Sequence, residues 1–216
     1  MHDVIFVNRD FLAAGLLATL QISAISIVCG TLIGAIVALV RYLRVPFASR
    51  FCALYVGLIQ GAPLLVVLLF CYFALPALFG YTTTAYWATV LSFSVFIGAY
   101  LAEDIRAGLQ AVSPKLIQAA LASGLTMAQV LRLVVLPIGV RSVIPPIISQ
   151  YVRLIKFTSV ASIISVQELT GNALLVNARV FEPATILSFV AIVYLIVCQA
   201  VSLFGRWLNA RFAVRT

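Results

Sequence analysis

Apolar residues run through this chain in five long blocks, over about residues 11–40, 51–78, 86–106, 141–166 and 184–204, with polar and charged positions gathered between them. A helix needs roughly 20 residues to cross a hydrocarbon core about 30 Å thick, and a spanning segment must bond its backbone groups internally. The pattern therefore predicts five transmembrane helices. It is not that of a barrel, whose short strands alternate between apolar and polar positions. One interval departs from it: residues 114–137, PKLIQAALASGLTMAQVLRLVVLP, are amphipathic at helical spacing. Ser113 and Pro114 predict a helix start, with serine as cap and proline at a first position where its missing N–H costs nothing. Gly124 ends that helix. Thr126 and Gln129 have the spacing of a capping box for a second one, which Pro137 prevents from continuing. Each helix is about ten residues, roughly 15 Å long, and too short to span. Lys115, Gln118, Gln129 and Arg132 interrupt the apolar positions, so the pair is expected at a membrane face, offering a shaped surface to a partner. The same pattern also suits two interfacial packing helices with no partner.

Composition strengthens this reading. The 216 residues are 64% hydrophobic and 9% charged, with a mean hydropathy of +1.17, outside the range of a soluble single-core domain. An all-α membrane protein follows, one transmembrane domain over residues 1–216 with a loop at 107–140 carrying the paired short helices. The net charge of +8 would suggest nucleic acid in a soluble protein; here topology explains it. Arg41, Arg44, Arg50, Arg106, Lys115, Arg132, Arg141, Arg206, Arg211 and Arg215 fall on one face of a five-span chain, and only Arg9 and Arg179 on the other. By the positive-inside rule the N-terminus is outside, and the paired helices and C-terminus are cytoplasmic. The first apolar block is too long for a cleaved leader, and its charges follow it. Cys29, Cys52, Cys71 and Cys198 sit in apolar surroundings without a CxxC, and the only histidine, His2, is terminal, so no metal site is expected.

Two charged or amide groups fall where lipid would be. Gln60 lies about ten residues past Arg50 and Lys156 about fifteen past Arg141, both near mid-depth at helical rise. Gly61 and Pro63 loosen the helix beside Gln60; Thr158, Ser159 and Ser162 follow Lys156. Polar side chains and opened backbone at corresponding depths are what a solute pathway needs. A proline kink with a satisfied glutamine, and a snorkelling lysine, are the packing alternatives. Glu103, Asp104 and Arg106 either pair locally at a solvated helix end or touch the short-helix pair. Gly30 and Gly34 form a GxxxG that permits close helix contact. No GxxxxGK[ST], HExxH or GxSxG occurs, so the chain is not expected to be an enzyme. A stand-alone channel or ion-coupled carrier, and a membrane scaffold, are the competing functions.

The motifs resemble those of the membrane subunits of type I ABC importers, in the branch that takes up polar amino acids and related solutes such as opines. The likeness runs over about residues 15–203 and is most specific from 100 to 169. The family's Glu-Ala-Ala, Gly and Leu-Pro loop corresponds to Gln118, Ala119, Ala120, Gly124, Leu136 and Pro137, after a lead-in AYLAEDIRAGLQAVSP. Its Arg-Gly-Thr-Pro-Leu appears as Gln60, Gly61, Ala62, Pro63 and Leu64, its Lys-Asp-Thr-Ser as Lys156, Phe157, Thr158 and Ser159, and its Glu-Leu as Glu168 and Leu169. Gln118 for Glu drops a charge from the loop; Gln60 for Arg and Phe157 for Asp drop two from the presumed path. The resemblance implies two membrane subunits, copies or close relatives, two cytoplasmic ATPase subunits that bind the ATP and magnesium, and an extracytoplasmic solute-binding protein, in a bacterial cytoplasmic membrane. It further implies that Lys115, Gln118, Ala119, Ala120, Gly124, Arg132 and Pro137 belong to the ATPase-coupling loop. Gln60, Gly61, Pro63, Lys156, Thr158, Ser159 and Glu168 would line the alternating-access path.

Overall fold

The computed structural model describes residues 2–212. Among the described residues every regular element is helical, so the all-α fold class holds. Arg215, counted above for the basic face, lies outside the described residues.

A short helix α1 (His2–Val7) leads into α2 (Arg9–Tyr42), which is 34 residues long. Its inward face is a ladder of small residues: Ser23, Ser26, Gly30, Gly34 and Ala38 are buried, and they lie against α6 (Ala85–Gln110), the most enclosed helix of the bundle. A methyl at Gly34 would meet Leu101 Cβ at 2.8 Å and the Ala102 amide at 3.1 Å; one at Gly30 would collide with the Ile97 side chain. Small residues bring the two backbones together, the arrangement that drives helix association where lipid is as apolar as leucine. The GxxxG thus marks a close seam of the fold.

The second predicted span, residues 51–78, is not one rod. Helix α3 (Ala48–Gly61) stops, Ala62 is extended, and α4 (Leu64–Leu69) restarts from Pro63 at an angle of 111°. Proline supplies no N–H and forces the residue before it out of helix, so QGAP opens a true break where sequence suggested a weakened helix. Leu64, Val67 and Leu68 then turn inward onto Val90, Phe93 and Ile97 of α6.

Pro137 requires a correction. The second short helix, α8 (Met127–Val130), does not end there: after α7 (Pro114–Ala122) and α8, the chain continues through a π-helical turn (Leu131–Val135) into α9 (Leu136–Phe157). Residues Met127–Ile164 therefore read as one apolar stretch 38 residues long, beginning well before the predicted start at 141. In the π turn the Leu136 amide bonds Leu131 O, five residues back, which widens the helix just ahead of the proline ring. The same device recurs earlier: the turn Phe70–Ala74, closed by Leu75 N–H to Phe70 O, precedes Pro76 in α5 (Leu75–Phe79).

A 3₁₀ turn (Thr158–Ile164) follows α9, then α10 (Leu169–Val180) and α11 (Pro183–Phe212). The main core, with Ile22, Leu68, Phe93, Leu101 and Leu154, lies between α2, α4, α6 and α9. A second cluster, Leu12, Leu169, Val176 and Ile186, joins α2, α10 and α11.

Candidate substrate pathway and coupling surface

The two short helices form a hairpin held by its own caps. Ser113 occupies the N-cap position of α7, but its side chain makes no cap hydrogen bond; its carbonyl takes the Leu116 and Ile117 amides instead. At the other end Gly124 has φ +87°, its amide bonds Leu121 O, and the Leu125 amide reaches back to Ala120 O. This is the Schellman closure, in which the left-handed residue favours glycine. The predicted capping box is present: Gln129 N–H donates to Thr126 Oγ1 and Thr126 N–H to Gln129 Oε1. Ile117, Ala120 and Leu125 pack on Leu109, Val112, Val130 and Val135. Lys115, Gln118, Ala119, Gly124, Arg132 and Pro137 are exposed, whereas Ala120 is partly buried against this cluster. Arg132 and Pro137 belong to the long helix rather than to the hairpin.

Behind the hairpin, Glu103 joins two helices. It accepts from Arg41 Nη1 of α2 at 2.6 Å and from the Arg106 guanidinium, which also donates to Gln110 Oε1. Asp104 accepts from Gln150 of α9 at 2.8 Å. The two carboxylates fasten α2, α6 and α9 together; neither bonds the short helices.

Between α9 and α11 runs a cleft of about 600 Å³, lined among others by Ser149, Arg153, Lys156, Gln199, Ser202 and Arg206. On each helix these residues recur at helical spacing, so two polar stripes face each other. Among the described residues three cations and no carboxylate line it, and Arg153 also lies over the Tyr100 ring, 5.7 Å from its centroid.

A separate polar knot is closed to solvent. Glu168 is 0% exposed and caps α10 by accepting from the amides of Thr170 at 2.9 Å and Gly171 at 2.7 Å. Its Oε2 also accepts from the hydroxyls of Tyr194, at 3.0 Å, and Thr19. Thr19 in turn takes the Leu169 amide, and Thr158 Oγ1 lies 3.2 Å from Tyr194 Oη. Burial pushes the Glu168 carboxyl above the usual carboxylate range, while these four hydrogen bonds pull the other way.

The residues expected along one path thus occupy three places. Gln60, Gly61 and Pro63 form the α3–α4 break, with Gln60 Nε2 bonded to Ala99 O at 3.3 Å; Lys156 is in the α9–α11 cleft, which Gln60 does not line; Thr158 and Glu168 are buried in the knot. Ser159 donates to Lys156 O beside the cleft. Arg153, Gln199, Ser202 and Arg206 join Lys156 in the cleft, and none of the four belongs to the motifs that mark the expected path. The spacing of 149, 153 and 156, and of 199, 202, 206 and 209, was the available signal. Tyr194 and Thr19 gave none, because their role depends on contacts across the whole chain.

A long-helix bundle with a polar cleft between two of its helices and an amphipathic hairpin is the build of a membrane transport subunit. The chain matches the binding-protein-dependent transport system inner membrane component over residues 30–214 and belongs to that family. It is 36% identical over 206 residues to the probable glutamine ABC transporter permease protein GlnP of Bacillus subtilis (strain 168), covering 93% of each chain. It is 32% identical over 204 residues to the glutamine transport system permease protein GlnP of Escherichia coli (strain K12), covering 94% of this chain and 93% of that one. A crystal structure of an amino acid ABC transporter with histidines superposes with a TM-score of 0.90 at 26% identity, over 96% of both chains. The type I ABC importer subunit that residues 15–203 resemble, most specifically over 100–169, is what these likenesses support.

Proposed function

We propose that this chain is the membrane subunit of an ATP-driven, binding-protein-dependent importer that carries a polar amino acid or a related, opine-like solute by alternating access. The observation that carries the solute class is the cleft: Arg153, Lys156 and Arg206 beside Gln199 and Ser202, with no carboxylate among its lining residues. That set suits a solute with a carboxylate and further polar groups. Lys156, Ser159, Gln60, Gly61 and Pro63 line or shape the path; Thr158 and Glu168, being buried, hold it in place. Lys115, Gln118, Ala119, Gly124, Arg132 and Pro137 face the ATPase, with Ala120 seating the hairpin on the bundle. ATP and magnesium are bound by two ATPase subunits, this chain supplying none of that chemistry. A second membrane subunit, copy or relative, closes the far side of the cleft, and an extracytoplasmic binding protein delivers the solute. The subunit sits in a bacterial cytoplasmic membrane with the N-terminus outside and the C-terminus inside, which the asymmetry of the basic residues supports.

The test is reconstitution in liposomes with its partner ATPase and solute-binding protein. Uptake of glutamine or a related amino acid should require all components and ATP. Uptake by this chain without nucleotide, or hydrolysis indifferent to loaded binding protein, would overturn the reading.

A further inference from the structure

A basic pocket lies outside the α9–α11 cleft, in the connection between α2 and α3, just beyond Tyr42 and Leu43, which line a separate hollow against Ile117 and Met127 of the hairpin and Leu131 after it. The basic pocket has a volume of about 320 Å³ and is lined by Arg44, Val45, Pro46, Phe47, Ser49 and Arg50. Among the described residues neither Arg44 nor Arg50 is in an ion pair, whereas Arg41, one turn earlier, is held by Glu103. The connection is preformed: Val45 N–H bonds Val40 O, Ser49 N–H bonds Val45 O, and Arg44 and Phe47 both have positive φ, +52° and +59°. Directly beyond it, Phe47, Phe51, Leu54 and Leu58 are 74%, 72%, 58% and 64% exposed. Their spacing puts them on one face of α3, starting at the pocket. From 47 to 58 a helix rises about 16 Å, close to the depth of one leaflet.

We propose that this pocket binds the headgroup phosphate of an anionic phospholipid, whose acyl chains lie along the Phe51, Leu54 and Leu58 stripe. A cationic hollow at one end of a leaflet-long apolar stripe matches an amphiphile with a negative head, and basic pockets at membrane rims hold such lipids by charge. A free anion would use the arginines but leave the stripe unexplained. The inference does not depend on which side of the membrane the connection faces, nor on the coupling role of the hairpin.

Native mass spectrometry of the detergent-solubilised full chain tests it, with phosphatidylglycerol, phosphatidylcholine and inorganic phosphate as probes. Phosphatidylglycerol should be retained in preference to phosphatidylcholine. Arg44→Asn, which tolerates the left-handed backbone, and Arg50→Gln should each weaken retention about fivefold, and the exposed Arg179→Gln should not. Equal retention of the two lipids, or equal loss in Arg179→Gln, overturns the site as mere bulk charge. Inorganic phosphate bound as tightly as phosphatidylglycerol overturns it in favour of a free-anion site. Phosphatidylglycerol retention unchanged in Arg44→Asn and Arg50→Gln while ATPase assembly is weakened overturns it in favour of a protein contact.

Discussion

The Tyr194 hydroxyl of α11 donates to Glu168 Oε2 at 3.0 Å and so ties α11 to the first turn of α10. The same hydroxyl lies 3.3 Å from Thr170 Oγ1 and 3.2 Å from that of Thr158, so one phenol closes a network spanning three elements. Tyr194→Phe should therefore lower stability by about 1–2 kcal/mol, because it leaves buried partners unmatched. Glu168→Gln should cost more, about 1–3 kcal/mol, since an amide nitrogen would face donors that now converge on carboxylate oxygens. Thermal unfolding in detergent measures both; a Glu168→Gln midpoint equal to that of the native chain would contradict the four-donor arrangement.

The α2–α6 seam allows a comparison of glycines in one protein. At Gly34 an added methyl meets Leu101 and the Ala102 backbone, and overpacking of this kind costs about 1–3 kcal/mol. At Gly57, within α3, a methyl meets nothing within 4 Å. Gly57→Ala should be neutral or stabilising through helix propensity, by up to about 1 kcal/mol, while Gly34→Ala destabilises. Matched unfolding midpoints for the two variants would show that the seam is looser than the structure has it.

Much of this was legible in sequence because it is local. Long apolar runs announce spanning helices, Thr126 and Gln129 announce their capping box, and Gly124 its left-handed closure. What was not legible depends on relations that no local rule carries. Pro137 reads as a stop until a π turn is known to precede it, and a π turn has no residue signature in LRLVV. The break at Pro63 was visible, its 111° turn was not, since the angle is set by where Leu64, Val67 and Leu68 find the core. Depth counting put Gln60 and Lys156 at one level, but whether two helices share a cavity depends on their rotation about their axes. Only the family resemblance puts Glu168 on the path; its capping role has no local signal, because its partners, Thr19 and Tyr194, are 149 and 26 residues away.

The hairpin makes a ranking prediction. Gly124 has φ +87° and open space around its Cα, so within this chain a substitution there acts through the backbone. Asparagine tolerates the left-handed region, alanine less, and a β-branched residue least. ATP hydrolysis by the assembled transporter, stimulated by loaded binding protein, should fall in the order Gly124→Asn, Gly124→Ala, Gly124→Val, with the solubilised subunit still folded in each. Equal activity across the three would separate the hairpin closure from coupling.

The cleft gives the sharpest test of the transport reading, because its charges are not needed to hold the fold. Lys156 and Arg153 are exposed at the α9 surface, and among the described residues neither has a carboxylate partner, so truncating either leaves no orphaned buried charge. If they attract the carboxylate of the passing solute, Lys156→Leu should reduce uptake roughly tenfold or more, the scale of one lost charge-assisted hydrogen bond. Lys156→Arg should keep most of it, because charge is preserved and the cleft has room. Basal ATP hydrolysis, which does not need solute in the membrane, should be little changed in either variant. Loss of uptake and hydrolysis together would assign Lys156 to conformational coupling instead, and unchanged uptake in Lys156→Leu with Arg153→Gln would remove the α9–α11 cleft from the path.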